Sequence, residues 1–324
     1  MSQLPEAVRY ENLLTRSFAI VRRKPWLWLL ALLAGLTGSG GGGGVGGGGS
    51  FQFPSNFSSP GPGVVDYGWV PHWFADRAFL FAEIAVAILV LSLAWFLVSC
   101  VATPALVGAV ARIDAGEPIT FGGAWLIGVA AFRRVLAFKL LLILLLLLPA
   151  LLLALPPLLG SLGGNRGILV GLVLDLPLVF AYLYWAAFVG WLSELALRAC
   201  VLEERGPRAS FAAAWELLKR RFHRIALTTV VFIGVGFGIG ILTSVVFAFV
   251  QAPFTAAVYA EVGQRRWSEL PGTLALFFVI LVPVSLAISS AVGAYFATAW
   301  TVAYRRFDFG DGVPEPPAPP PLAA

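Results

Sequence analysis

Trp125-Leu126-Ile127-Gly128-Val129-Ala130-Ala131-Phe132-Arg133-Arg134 opens on an aromatic residue, ends on paired arginines, and runs into Val135–Leu155, whose single charge is Lys139. The same order recurs at Phe18–Trp26, where Arg22-Arg23-Lys24 precede Pro25, and at Trp215–Arg224, where Lys219-Arg220-Arg221 precede Ile225. An apolar run of roughly 20 residues spans the hydrocarbon of a bilayer. Three such lead-ins, each opening a pair of apolar runs, predict an all-α fold: a polytopic membrane helix bundle of six transmembrane helices. These form three tandem helical hairpins with interfacial amphipathic lead-in helices.

Composition excludes water as the solvent. The 324-residue chain is 59% hydrophobic and 12% charged, with mean hydropathy +0.87, against roughly 25% charge in an ordinary soluble domain. The expected spans are Pro25–Leu36, Phe79–Val110, Val135–Leu155, Ile168–Val201, Ile225–Val250 and Thr273–Tyr304. They build a single integral membrane domain over residues 1–312, in repeat units of about 10–118, 119–208 and 209–310. The first span holds only 12 strongly apolar residues before the glycines. It reaches full depth by borrowing from its lead-in or by thinning the bilayer. Its basic prefix also fits a cleavable signal peptide; the long stretch ahead of it and its match to the later lead-ins favour a retained helix.

Charge sets the orientation. One side carries Arg9, Arg16, Arg22, Arg23, Lys24, Arg112, Arg133, Arg134, Lys139, Arg198, Arg205, Arg208, Lys219, Arg220, Arg221, Arg224, Arg305 and Arg306; the other carries Arg77, Arg166, Arg265 and Arg266. Eighteen against four places both termini in the cytoplasm of a multi-pass protein of the cell's inner (plasma) membrane. The net charge of +5 is then a topology signal, and no nucleic-acid partner is expected. Cys100 and Cys200 fall on the same cytoplasmic side, where thiols stay reduced, and read as small packing residues.

The second and third repeats register without gaps at their junctions. Gly116, Thr120, Phe121, Ala124 and Trp125 match Gly206, Ser210, Phe211, Ala214 and Trp215, each pair 90 residues apart. Asp114 or Glu204 ends an outgoing helix, Gly116 or Gly206 supplies a left-handed terminator, and Thr120 or Ser210 caps the helix that follows. Residues 37–77 form an outer loop. Its Gly40–Gly44 and Gly46–Gly49 lack the Gly-Lys-Ser/Thr of a phosphate loop. Its aromatics Phe51, Phe53, Phe57, Tyr67, Trp69, Trp73 and Phe74 rest on the outer interface or form a ligand-facing lid. Residues 313–324 are proline-rich, and an extended, disordered tail is expected there.

Two sets of residues are candidates for function. Arg133, Arg134, Lys219, Arg220, Arg221 and Arg224 lie where lead-ins meet the headgroup layer, and a cation there gains about 1 kcal/mol from anionic lipid. Plain positive-inside anchoring explains the same residues. The second set is an intramembrane polar site of Asp175, Glu194 and Arg198. Asp175 is costly in lipid and must face protein, water or a partner, and Pro177 frees a carbonyl beside it. Glu194 and Arg198, four apart, pair on one helix face. Gly234, Gly236, Gly238 and Gly240 give overlapping small-xxx-small pairs for close packing within the chain or in a dimer. Pro149 and Pro283 kink the third and sixth spans.

Catalytic motifs are thin. His72 and His223 are the only histidines, one in the outer loop and one beside a basic cluster, so no multi-histidine metal site can form. No Gly-x-Ser-x-Gly, Walker or His-Glu-x-x-His pattern occurs. The expectation is a non-enzymatic protein without cofactor or metal that organises lipids or partner proteins. Its expected partners are anionic headgroups and a second copy or another membrane protein. The rival is a transporter- or permease-like protein with a midplane polar site around Asp175.

Ala199-Cys200-Val201-Leu202-Glu203-Glu204-Arg205-Gly206-Pro207, continuing to Ser210, Ala214-Trp215-Glu216-Leu217-Leu218-Lys219-Arg220 and Phe222, resembles a feature of one bacterial family. This is the membrane domain found with glycerophosphoryl diester phosphodiesterases and its stand-alone relatives. Ser17-Phe18-Ala19-Ile20-Val21-Arg22-Arg23-Lys24-Pro25-Trp26 is similar to that family's opening. The resemblance covers most of residues 10–310 and implies a six-helix membrane domain. It supplies no catalytic residue, because in fused members the hydrolytic chemistry belongs to a separate soluble domain.

Overall fold

Long runs of Leu, Ala, Val and Phe between short Gly- and Pro-bearing junctions favour continuous helices, and that is what forms. The computed structural model describes residues 6–35, 78–153, 155, 156, 158, 164–263 and 270–308. The outer loop 37–77 and the tail 313–324 lie outside the described residues. The elements are α1 (Glu6–Arg23), α2 (Trp26–Gly35), α3 (Ala78–Asp114), α4 (Phe121–Leu153), α5 (Gly164–Leu202), α6 (Pro207–Gly263) and α7 (Leu270–Asp308). No strand occurs among the described residues.

The three lead-ins join their apolar runs in three ways. Pro25 has no N–H to donate, so α1 stops at Arg23 and a tight turn, with Leu27 N–H on Lys24 O and Trp28 N–H on Pro25 O, restarts the chain as α2. α4 passes from lead-in to apolar run unbroken. α6 bends at Arg221, whose φ of −125° and ψ of 27° leave the helical region. That bend falls in the basic cluster, while α4 and α7 continue as helices through Pro149 and Pro283.

Helix contacts repeat in threes. α2 packs on α3 and α7, α4 on α3 and α5, and α6 on α5 and α7, closing a ring inside which α3, α5 and α7 touch one another. α1 lies across α7 and α3. The core gathers at one end, and its interfaces are small: Ala102, Ala105, Ala109, Ala124, Ala196, Ala199, Ala294, Ala299 and Ala303 are all fully buried. Trp300, Phe138, Leu27 and Leu30 fill the spaces between them, while many other large apolar side chains point outward, from Phe79, Leu89 and Leu91 on α3 to Leu144 and Leu148 on α4 and Phe237 and Phe249 on α6. This inside-out distribution suits lipid as solvent, where helix association depends on close backbone approach. Three buried hydroxyls donate within their own helices, Ser17 to Leu13 O, Thr103 to Ser99 O and Thr301 to Ala297 O.

Among the described residues five helices are long and apolar enough to cross a membrane: Phe79–Asp114, Phe121–Leu153, Asp175–Leu202, Pro207–Ala257 and Ala275–Phe307. α2 has only 10 residues, about 15 Å at helical rise, roughly half a hydrocarbon core.

Two local expectations are corrected. Gly116 does take the left-handed conformation (φ 84°), but after α5 Glu204 takes it instead (φ 57°), not Gly206. Thr120 Oγ1 accepts the Gly123 N–H at 3.3 Å and caps α4. Ser210 caps nothing: α6 starts three residues earlier at Pro207, and the Ser210 hydroxyl donates to Gly206 O at 2.9 Å. Of the α6 glycines, Gly236 faces Phe296, whereas Gly234, Gly238 and Gly240 have open space beside them.

Among the described glycines the tightest site is Gly128 of α4, where an added Cβ would lie 2.3 Å from the Val101 carbonyl of α3. Backbone cannot retreat from such a clash without parting the helices. Gly128→Ala should therefore destabilise the protein by about 2 kcal/mol or more. Gly238→Ala, in open space, should be neutral or stabilising by about 0.5–1 kcal/mol. Thermal unfolding of the two variants in detergent, side by side, checks this.

Candidate functional site

The packed end of the bundle is where the polar chemistry collects. The two short junctions, the last turn of α7 and helix α1 all meet there, and Asp114 at the end of α3 is the shared partner. Arg16 of α1 places Nε 2.7 Å from Asp114 Oδ1 as an ion pair lacking hydrogen-bond alignment, and donates through NH2 to Asp114 O at 2.9 Å. Arg305 of α7 donates to Asp114 Oδ2 at 2.7 Å and to Ala111 O at 2.8 Å. First and last helices are thus tied to α3, and two of its terminal carbonyls gain donors. Tyr304 donates to Glu203, which also pairs with Arg205 at 2.6 Å.

The cationic set divides by environment. Arg133 is exposed with no ion pair among the described residues, while Arg134 is half-buried and reaches Glu204 at 3.3 Å. Lys219 lies over the Trp215 ring, 5.1 Å from its centroid, and Arg220 pairs with Glu216 at 2.9 Å; both are exposed. Arg221 sits at the bend, and Arg224 is half-buried behind it. Exposed Trp215, Phe222 and Phe18 accompany these cations, an aromatic-and-basic mixture suited to a headgroup boundary.

Asp175, Glu194 and Arg198 do not form one site. Asp175 and Glu194 are 19 positions apart on α5, about 28 Å along the helix. Asp175 Oδ1 is buried without a hydrogen-bond partner among the described residues. Glu194 and Arg198 pair at 2.5 Å, and Arg198, 1% exposed, lies with its guanidinium 5.8 Å from the centre of the Trp300 ring. That cluster is sealed by α7.

Sequence reasoning missed two features. Lys139 entered only as a topology charge, yet it is buried, donating to Ser99 Oγ at 2.9 Å and Thr103 Oγ1 at 3.3 Å, with the Phe96 ring 5.9 Å away. A lone lysine inside an apolar run was the available signal. The matching position of the next repeat, Thr229, accepts the Trp191 indole N–H at 2.8 Å, so the same level of each helix pair carries a polar link. The second is the Asp114 node, whose partners lie 98 and 191 positions away. Nearby, an open recess of about 400 Å³ is lined by Ala137, Leu141, Gly206, Pro207, Arg208 and Ala209. Among the described residues no three His, Cys, Asp or Glu side chains converge.

Five helices of spanning length, small residues inward and large apolar ones outward, are consistent with a multi-pass membrane protein. Residues 10–306 match the model of a family described as a family of unknown function (DUF7544), and the chain belongs to that family. No curated protein and no solved structure matches it.

Because Asp114 serves two arginines at 11% side-chain exposure, its loss should fall between the surface and buried extremes. Asp114→Asn should cost on the order of 2 kcal/mol. Glu216→Gln, breaking a pair exposed at both partners, should leave the melting temperature unchanged. Equal effects of the two variants would remove the node from its structural role.

Proposed function

We propose that the protein is a non-enzymatic component of the inner membrane, crossing it six times as three helical hairpins, with both termini cytoplasmic. Its cationic rim gathers anionic headgroups and thereby organises lipid or partner proteins. The observation that carries this reading is the exposure of Arg133, Lys219 and Arg220 beside exposed Trp215 and Phe222 at the packed end. The resemblance to phosphodiesterase-associated membrane domains supports the six-helix count, with α2 as the short first crossing.

The test is lipid enrichment. In nanodiscs of phosphatidylglycerol and phosphatidylcholine, changing Arg133, Lys219 and Arg220 together to Gln should lower the anionic fraction of co-purifying lipid at least about fivefold. High salt should mimic the change, because exposed charges are screened. Unchanged enrichment would leave these residues as topology anchors only.

One observation favours a second reading. The Oδ1 of Asp175, buried without a hydrogen-bond partner among the described residues, belongs to the kind of intramembrane carboxylate that serves ion or solute movement. In that case Asp175→Asn abolishes proton flux into proteoliposomes, followed with a pH-sensitive dye, while the amount of folded protein is unchanged. Equal flux in both proteins removes the transporter reading.

A further inference from the structure

The recess between α4 and the start of α6 has a shape and a charge that the rim as a whole lacks. Ala137 and Leu141 form one wall. Leu144 and Leu148, both exposed, continue the same helical stripe away from the packed end. From Ala137 to Leu148 the stripe runs about 16 Å, comparable to the depth of one leaflet's hydrocarbon. At its head stands Arg208, exposed and without an ion pair among the described residues. Arg134 lies three positions before Ala137, held by Glu204, a partner 77% exposed and therefore weakly bound. Glu203, the other acid nearby, is already engaged by Arg205 and Tyr304.

The preceding junction supplies an internal comparison. By the 90-residue register, Glu117 and Pro118 stand where Pro207 and Arg208 do. There Pro118 stands in place of the cation, the acid Glu117 stands one position before it, and the Trp26 ring packs edge-on against Phe121 at 6.2 Å. The second junction thus carries a cation without an ion pair among the described residues where the first carries a proline beside an acid.

We propose that this recess holds one anionic phospholipid, its phosphate on Arg208 and Arg134 and an acyl chain along Ala137, Leu141 and Leu144. The inference rests on the lipid-organising reading and narrows it to one place. A lipid bound there bridges α4 to the α5–α6 junction.

Native mass spectrometry of the full chain, released from nanodiscs of phosphatidylglycerol and phosphatidylcholine in equal parts, tests it. The wild type should keep one phosphatidylglycerol at activation energies that strip the rest. Arg208→Gln, an exposed change that leaves folding intact, should lower that occupancy about fivefold. Ala137→Trp, which fills the recess, should do the same. The Arg133, Lys219 and Arg220 to Gln variant should keep the retained lipid while losing loosely held ones. Wild-type occupancy in both recess variants overturns the site, and the broader reading survives if the rim variant still loses its loose lipid. No preference for phosphatidylglycerol in the wild type overturns both.

Discussion

A bilayer rewards helices little for hiding leucine, since lipid tails are as apolar as leucine itself. The bundle therefore depends on how closely its backbones can approach. The alanine-lined interfaces and the contact of Gly128 with the Val101 carbonyl supply that approach at one end. Where larger side chains take over, as along Phe79–Leu93 of α3, the helix stands exposed on nearly every face. Polar links then fix the arrangement: Lys139 between α4 and α3, Trp191 with Thr229 between α5 and α6, and Asp114 across the seam where α1 and α7 meet α3. Those links sit where a missing partner would be most costly.

The repeated contact pattern also explains where the repeats depart from one another. α2 fills its slot between α3 and α7 for only 10 residues, so among the described residues the far half of α3 lacks the neighbour that α4 and α6 provide elsewhere. The lead-ins break at Pro25, run straight in α4 and bend at Arg221. Each variation places its basic residues differently at the packed end: exposed at Arg22 to Lys24, split between exposure and an ion pair at Arg133 and Arg134, and gathered at an elbow from Lys219 to Arg221.

Much of the helical architecture was legible before any coordinates, because an apolar run too long for a soluble core has one stable form in lipid. The 90-residue register was legible too, and it pairs buried Ala124 with buried Ala214 and Val135 with Ile225. Helix ends were not, since the choice between Gly206 and Glu204 as terminator, and the start at Pro207 rather than after Ser210, turns on competition within a few residues. Nor were the partners of Lys139 and Asp114, which come from distant helices brought together only by packing. The separation of Asp175 from Glu194 could have been read from helical rise alone.

Side-specific labelling tests the central claim that the junctions and the end of α7 share one membrane face. Single cysteines would replace Glu117, Arg208, Arg306 and Thr273 in a chain with Cys100 and Cys200 changed to Ala. In sealed, oriented vesicles an impermeant maleimide should reach the first three from the same side and Thr273 from the opposite side. Labelling of Glu117 and Arg208 positions from opposite sides would contradict the account, because no bundle packed at one end could then hold both junctions.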